Sequence, residues 1–214
     1  MLSLPARTRT SSRRSTTTLR SVPPRVGSPA PRSSEAPPAV LAPTSLRPAD
    51  LLRLSDQSAA DVLDGRHDAL LPTGGFPTDE RWSVRVHSDD LVDVWLISWV
   101  RDRSTELHDH AGSLGALTVL SGALSEYRWN GTTLAHRLLR AGDQASFPLG
   151  WVHDVTHAPT DDRDAVAASS SSSSPTLSVH AYSPPLTAMS YYDIGSGGLR
   201  RTRTELTDVP EGTA

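Results

Sequence analysis

The sequence is that of a small protein of 214 residues with a formal net charge of −3 at pH 7, which gives no reason to expect nucleic-acid binding. The length fits one domain of about 100–150 residues with tails. Cysteine and lysine are both absent, which excludes disulfides, thiolate metal sites, cysteine nucleophiles and catalytic lysines.

The N-terminal part of the chain divides into a tail and a helical region. Residues 1–44 are rich in Arg, Ser and Pro and have no acidic residue before Glu35, so we predict a disordered tail. The same composition is also typical of an organellar transit peptide. Residues 47–71 place apolar side chains at helical spacing behind Pro48, which predicts one or two short helices.

Residues 81–193 consist of short segments in which apolar and polar residues alternate, with turn signals between them. Such alternation predicts strands, and Asn130-Gly131 is a strong hairpin signal. Closely spaced strands predict a mainly β barrel or sandwich. The predicted strands cover residues 82–87, 91–100, 114–120, 124–129, 134–139, 144–148, 151–157 and 177–182.

Two polar segments are expected to lie outside this barrel. Residues 159–175 are acidic and then Ser-rich, which predicts a flexible insertion between two strands. Residues 196–214 are predicted to form a polar C-terminal tail. The folded domain is therefore expected to span residues 45–195.

The candidate metal ligands begin with His108 and His110. Alternate residues of a strand point to the same face, so we expect the two imidazoles to project together as a metal chelate. Histidine pairs with this spacing also occur on solvent-exposed strands. A further histidine, His153, follows the turn at Gly150, and His157 is the alternative four residues further on.

This layout resembles the two-motif pattern of cupins, in which a first motif supplies His-x-His and a later one another histidine. The resemblance implies a cupin double-stranded β-helix, also called a jelly-roll barrel, with His153 as the third ligand. Cupins commonly have a Glu shortly after His-x-His, but residues 113–115 contain none. A site of three histidines without a carboxylate is therefore predicted.

A third group of polar residues lies on the last predicted strand. Alternation puts Ser178, His180 and Tyr182 on one face, where hydroxyl, imidazole and phenol form a chain that could orient a proton near a metal. In the alternative interpretation, these side chains only satisfy one another at the end of a strand.

Four short matches make the sequence resemble the thiol dioxygenases, specifically bacterial cysteine dioxygenases: residues 108–113, 120–126, 150–153 and 178–185. The resemblance implies Fe(II) held by His108, His110 and His153, with Ser178, His180 and Tyr182 as catalytic residues beside the substrate. It also implies an arginine that binds the substrate carboxylate, for which Arg85 is the best match and Arg81 the second.

The sequence departs from the family at two positions. Ser83 stands where family members often have a Tyr, which affects hydrogen bonding to the substrate. Gly115 stands where animal members have a Cys that crosslinks to the active-site Tyr, so Tyr182 is expected to be unmodified.

The implied activity is the oxidation of a small thiol by O₂ to a sulfinate, with L-cysteine as the expected substrate. 3-Mercaptopropionate is an alternative substrate, and a non-catalytic metal-binding cupin module is an alternative function. The expected partners are a small-molecule thiol and O₂, without nucleic acid or membrane, and the protein is expected to be a cytoplasmic monomer.

Overall fold

A computed structural model describes residues 46–158 and 175–211 of the chain. The predicted disordered tail at residues 1–44 lies outside this range, and so does the predicted flexible insertion apart from Pro175. Within the described residues, the helices are too short or too polar to cross a bilayer.

The first element is helix α1, Pro48–Leu63. Proline suits the first turn of a helix because its missing N–H would have no partner there. The Asp50 carboxylate accepts a hydrogen bond of 3.3 Å from the backbone N–H of Arg47, which fixes the start of the helix. A short 3₁₀ helix, Asp68–Leu70, follows. The prediction of short N-terminal helices is confirmed.

The strands of the described residues form two antiparallel sheets. One has the order β1-β2-β9-β4-β7 and the other the order β11-β10-β3-β8-β5-β6. In chain order the strands are β1 (Trp82–Ser88), β2 (Asp93–Trp99), β3 (His108–Asp109), β4 (Leu114–Ser121), β5 (Ala123–Trp129), β6 (Leu134–Arg140), β7 (Gln144–Phe147), β8 (His153–His157), β9 (Thr176–Ser183), β10 (Ala188–Gly195) and β11 (Gly198–Leu206).

The β1-β2-β9-β4-β7 sheet is covered on both faces, which explains why β2 is buried along its whole length. Trp95 and Ile97 point into the core between the two sheets. Val94 and Leu96 point to the opposite face, where they pack with Leu51 of α1. A hydrogen bond of 2.9 Å between the hydroxyls of Ser55 and Thr118 also joins helix and sheet. The helix therefore lies on the outer face, and the space between the sheets is left for the site.

The structure contains three strands that are absent from the list of predicted strands: β3, which was assumed only in the argument for His108 and His110, and β10 and β11. The eight predicted strands are all present, with ends that differ by at most two residues. The barrel extends beyond its predicted end at Asp193 because β10 and β11 form a hairpin. Strand β11 is exposed and rich in Arg, as is typical of an edge strand, so its polar composition hid it within the predicted C-terminal tail.

Candidate metal centre

The three predicted metal ligands lie side by side in the core. His108 on β3 pairs directly with His153 on β8, and His110 follows two residues after His108. The ring centroids are 5.1 Å apart for His108 and His110, 4.8 Å for His108 and His153, and 5.4 Å for His110 and His153. All three side chains are buried.

Hydrogen bonds orient two of these rings. His108 donates from Nδ1 to the backbone carbonyl of Glu106, and His153 donates from Nδ1 to the carboxylate of Glu126, each at 2.9 Å. Because a carbonyl or carboxylate oxygen can only accept, Nδ1 of each ring carries a proton, and Nε2 has a free lone pair whenever the ring is neutral.

The three histidines have one ring nitrogen each that makes no hydrogen bond within the described residues. Nε2 of His108, His110 and His153 is buried and has no hydrogen-bond partner among the residues that the structure describes. Burying an unpaired polar atom costs free energy, and a divalent metal ion would satisfy all three nitrogens at once. The residues present therefore fit a metal ion.

The three histidines differ in ionisation. Burial by itself would lower the pKa of His108, but the nearby Glu211 carboxylate outweighs burial and raises it, whereas burial lowers the pKa of His153. Burial lowers the pKa of His110 to about 4, and the neighbouring His108 and His153 act in the same direction against the opposing effect of Glu211. His110 is therefore neutral near pH 7, as a metal-binding imidazole must be. Burial by itself would raise the pKa of Glu126, but His153 and an ion pair with Arg137 outweigh burial and lower the pKa to about 2.

A carboxylate that the sequence did not indicate completes the group. Glu211 follows β11 and is fully buried, with Oε2 3.4 Å from His108 Nε2 and Oε1 3.5 Å from His110 Nε2. One potential ligand atom from each of His108, His110, His153 and Glu211 lies within 4.8 Å of the others. The structure thus differs from the predicted carboxylate-free site. No motif marks Glu211, because its position depends on the fold of a polar segment.

The predicted chain of hydroxyl, imidazole and phenol is present as hydrogen bonds. Tyr182 donates to Glu211 Oε1 at 2.8 Å, so its oxygen accepts from His180 Nδ1 at 3.0 Å. His180 Nε2 then accepts from the Ser178 hydroxyl at 3.0 Å, which in turn accepts from Trp99 Nε1 at 2.8 Å. The structure therefore connects these residues to Glu211, while their catalytic role stays a prediction.

Tyr182 is a neutral phenol in this setting. Burial raises its pKa well above the ordinary value, and the negative charge of Glu211 adds to the effect. Gly115 lies directly against the ring: a Cβ at this position would be 3.3 Å from Tyr182 Cε1 and 2.9 Å from Phe147 Cδ2. The described site thus has no space for a larger side chain at residue 115 without movement of Phe147.

The best-matched candidate for binding the substrate carboxylate, Arg85, contacts residues away from the histidines. Its guanidinium lies over the ring of Trp95, 4.6 Å from the centroid, and forms an ion pair of 2.9 Å with Asp208. Arg85 as the substrate-binding residue stays a prediction.

The second candidate, Arg81, reaches the segment that carries Glu211. It donates a hydrogen bond to the backbone carbonyl of Glu211 and lies over the ring of Trp99, 5.1 Å from the centroid. Through these two contacts, Arg81 is linked to both ends of the hydrogen-bonded chain. The alternative metal ligand His157 pairs with Leu124 at the far end of β8 and lies outside the described group of four.

Comparisons with known proteins give a family match and weaker structural matches. No curated protein matches the sequence. Among solved structures, an uncharacterized conserved protein with a double-stranded β-helix domain from Klebsiella pneumoniae subsp. pneumoniae is 20% identical, with coverage of 64% of this chain and 93% of that chain and a TM-score of 0.40. A cupin superfamily protein from Desulfitobacterium hafniense is 11% identical, with coverage of 50% and 79% and a TM-score of 0.37. A recombinant oxalate oxidase in complex with glycolate is 13% identical, with coverage of 56% and 59% and a TM-score of 0.40.

The family match covers the barrel. The two antiparallel sheets form the cupin double-stranded β-helix expected from the sequence. Residues 77–194, more than half of the chain, match the family described as cysteine dioxygenase type I, and these residues include all three histidines and the Ser178–Tyr182 hydrogen-bonded chain. The chain therefore belongs to the cysteine dioxygenase type I family, as its motifs indicated.

Proposed function

We propose that the protein is a thiol dioxygenase that oxidises L-cysteine with O₂ to cysteine sulfinate at an Fe(II) centre. The observation that carries the proposal is the convergence of three buried, unpartnered Nε2 atoms beside the hydrogen-bonded chain that ends at Tyr182. Family membership supports the same reaction class.

In this proposal His108, His110 and His153 hold the metal. A bound ferrous ion would supply the electrons that activate O₂ and would favour the thiolate form of the substrate. Neutral imidazoles suit this task because they leave the positive charge of the ion undiminished. The Glu126 carboxylate holds the His153 ring in orientation, and burial of the group excludes bulk water.

The remaining residues would bind and orient the substrate. A guanidinium matches a carboxylate in geometry as well as in charge, which makes Arg85 or Arg81 suitable for the carboxylate of an amino acid. Tyr182, held by His180 and Ser178, offers a neutral O–H donor that would direct a hydrogen bond at an anionic group of the substrate. The two oxygen atoms of O₂ both enter the product, and the sulfur is oxidised from thiol to sulfinate.

Replacement of His153 tests the site and the activity together. We expect His153→Ala to lose bound iron and to lower thiol-dependent oxygen uptake more than about 100-fold, because one of three ligands is removed. Iron content and oxygen consumption with L-cysteine measure the two effects. His87→Ala is the matched control, since His87 is an exposed histidine that pairs with Asp89 outside the group.

Two outcomes of these measurements would contradict the proposal. If His153→Ala kept full iron content and full activity, the assignment of the metal site would be wrong. If the iron-loaded wild type consumed no oxygen with any small thiol, the chain would instead be a non-catalytic metal-binding cupin.

The alternative substrate is 3-mercaptopropionate, which has the carboxylate of cysteine but not its amine. The ion pair between Arg85 and Asp208 does not distinguish the two thiols, because both carry a carboxylate. Turnover of both thiols by the wild type, Arg85→Ala and Arg81→Ala separates the possibilities. The substitution that raises KM for L-cysteine identifies the carboxylate-binding arginine, and unchanged KM values in both variants would exclude both residues.

A further inference from the structure

Residues 207–211, here called the closing segment, follow β11 and are held by contacts with several other parts of the barrel. The backbone N–H of Thr207 donates to the carbonyl of Thr187 at 3.1 Å, and the Val209 side chain packs against the core between the sheets. Both candidate arginines also bind this segment: Arg85 through the carboxylate of Asp208, and Arg81 through the carbonyl of Glu211. The two guanidinium groups expected to bind a substrate are thus engaged by the chain itself.

The Glu211 carboxylate is buried next to the three histidines with one oxygen unsatisfied. Its Oε1 accepts from Tyr182, but Oε2 has no hydrogen-bond partner among the described residues. A buried carboxylate needs a compensating charge or several hydrogen bonds. The nearest groups to Oε2 include His108 Nε2, 3.4 Å away, which is itself buried and unpartnered.

Two distances around Glu211, one from each carboxylate oxygen, are close to those between ligands of a shared ion, and the four potential ligand atoms all lie within 4.8 Å of one another. Four ligands at about 2.1 Å from one ion in a tetrahedron lie about 3.4 Å from each other. The carboxylate oxygens lie 3.4 Å and 3.5 Å from the Nε2 atoms of His108 and His110, too far for good hydrogen bonds. A single divalent ion would satisfy Oε2 and the three nitrogens together.

The backbone of Glu211 also has a conformation that is unusual for a residue other than glycine. Its φ of +61° lies in the left-handed region, which a residue with a side chain adopts at a cost in free energy. The contacts of the closing segment hold it in this conformation, and the side chain is thereby directed at the histidines.

We propose that Glu211 is a fourth metal ligand, carried by the closing segment, and that a substrate must displace it to reach the metal. Displacement would free Arg81 from the Glu211 carbonyl and Tyr182 from the Glu211 carboxylate. Both groups would then be available to an incoming anion, so Glu211 occupies the place of a substrate in the resting protein. The proposal has two steps: Glu211 binds the metal, and a substrate then displaces it. Only the displacement step rests on the proposed function, because it names a thiol as the displacing molecule.

A metal titration tests the first step without any turnover. The full chain is freed of metal and titrated with Co(II), whose visible spectrum reports its ligands, for the wild type, Glu211→Gln and Glu205→Gln. Glu205 is an exposed residue of β11 that pairs with Arg203, so it controls for loss of a glutamate outside the group. Loss of even an outer partner of a metal ligand costs about 10- to 100-fold in affinity.

We therefore expect Glu211→Gln to bind Co(II) at least about tenfold more weakly than the wild type, with an altered visible spectrum, and Glu205→Gln to match the wild type. Equal affinity and an identical spectrum in Glu211→Gln would overturn the proposal and leave Glu211 as a buried partner of a protonated His108. Circular dichroism of the metal-free variants checks that both retain the fold.

The second step is tested by adding L-cysteine, and separately 3-mercaptopropionate, to the Co(II) proteins without oxygen. If Glu211 competes with the thiol, the spectral change of thiolate binding should occur at a lower thiol concentration in Glu211→Gln than in the wild type. Equal concentrations would overturn the displacement step. Tight Co(II) binding that depends on Glu211, without oxygen uptake by the iron protein, would refute the proposed activity alone.

Discussion

Two of the candidate metal-binding imidazoles, His108 and His153, are each oriented by one oxygen atom behind the ring. For His153 that atom belongs to Glu126, which also accepts from Trp151 Nε1 at 3.1 Å and pairs with Arg137. Glu126 is therefore held from several sides, and its charge raises the basicity of the His153 ring. The residue links the metal site to the edge strand β6, where Arg137 lies directly opposite Glu126.

Replacing Glu126 by Gln should weaken metal binding without removing a ligand. The amide can still accept from His153 but loses the negative charge and the ion pair with Arg137. We expect the affinity for Co(II) to fall about 10- to 100-fold, measured by titration against the wild type and the Glu205→Gln control. An unchanged affinity would show that the orientation of His153 does not depend on this carboxylate.

The same carboxylate should affect stability in acid. Its pKa is about 2 in the folded protein and 4.5 ordinarily, so the unfolded chain binds more protons between these values. The stabilisation by Glu126 is thus complete above about pH 4.5 and is lost as the pH falls towards about 2. Between about pH 6 and about pH 3, the stability advantage of the metal-free wild type over Glu126→Gln should shrink by about 1–3 kcal/mol in urea unfolding. A constant difference would contradict the lowered pKa.

Among the elements, α1 contributes to stability from the outer face of the β1-β2-β9-β4-β7 sheet, without touching the metal site. Leu51 of α1 is fully buried against the outer face of the sheet, whereas the histidines lie beyond the inner face. Stability and metal binding should therefore respond separately to changes in the helix.

Two leucines of α1 form a matched pair for this test. Leu51→Ala should destabilise the protein by about 2–5 kcal/mol because it leaves a cavity, whereas Leu63→Ala should change stability by less than about 0.5 kcal/mol because Leu63 is 73% exposed. Urea unfolding measures both. Metal affinity should stay at the wild-type value in the two variants, and a large loss in Leu51→Ala would mean that the helix supports the site.

How far the sequence predicts each element depends on whether its signal is local. The predicted strands carry local alternation or turn residues, and all are present. Strand β3 is only two residues long, which is too short to show an alternation of apolar and polar residues. Strand β11 is exposed, so its residues are not selected for apolar alternation.

The candidate metal ligands also differ in whether a local sequence signal predicts them. His108 and His110 are neighbours in sequence, and their spacing alone indicates a shared face. His153 was identified through the cupin resemblance, and Glu211 through nothing in the sequence, because only the folded chain brings a residue after β11 to β3. Contacts of this kind depend on tertiary structure, which local patterns do not encode.

For the whole molecule, the metal site joins parts of the chain that are far apart. Its four candidate ligands come from β3 and the residue after it, from β8 and from the closing segment. A metal bound only by the folded protein stabilises the entire domain by mass action. Metal content should therefore control thermal stability.

Thermal unfolding with and without added metal measures this coupling. At a free metal concentration of about 100 Kd, the expected gain of about 2.7 kcal/mol corresponds to a rise in Tm of about 5–10 °C. His153→Ala should show little or no rise, while His87→Ala should match the wild type. If metal left the wild-type Tm unchanged, the four side chains would not form a metal site in the folded protein.

The hydrogen bonds from Trp99 to Glu211 all run in one direction. Each group donates towards the metal site, from indole to hydroxyl, imidazole, phenol and carboxylate. Their dipoles are therefore aligned and stabilise negative charge at one end without a formal positive charge. A cationic or donor-only ligand at that end would require every hydroxyl to rotate and His180 to change tautomer. The aligned hydrogen bonds therefore favour a negatively charged group at the position that the Glu211 carboxylate occupies.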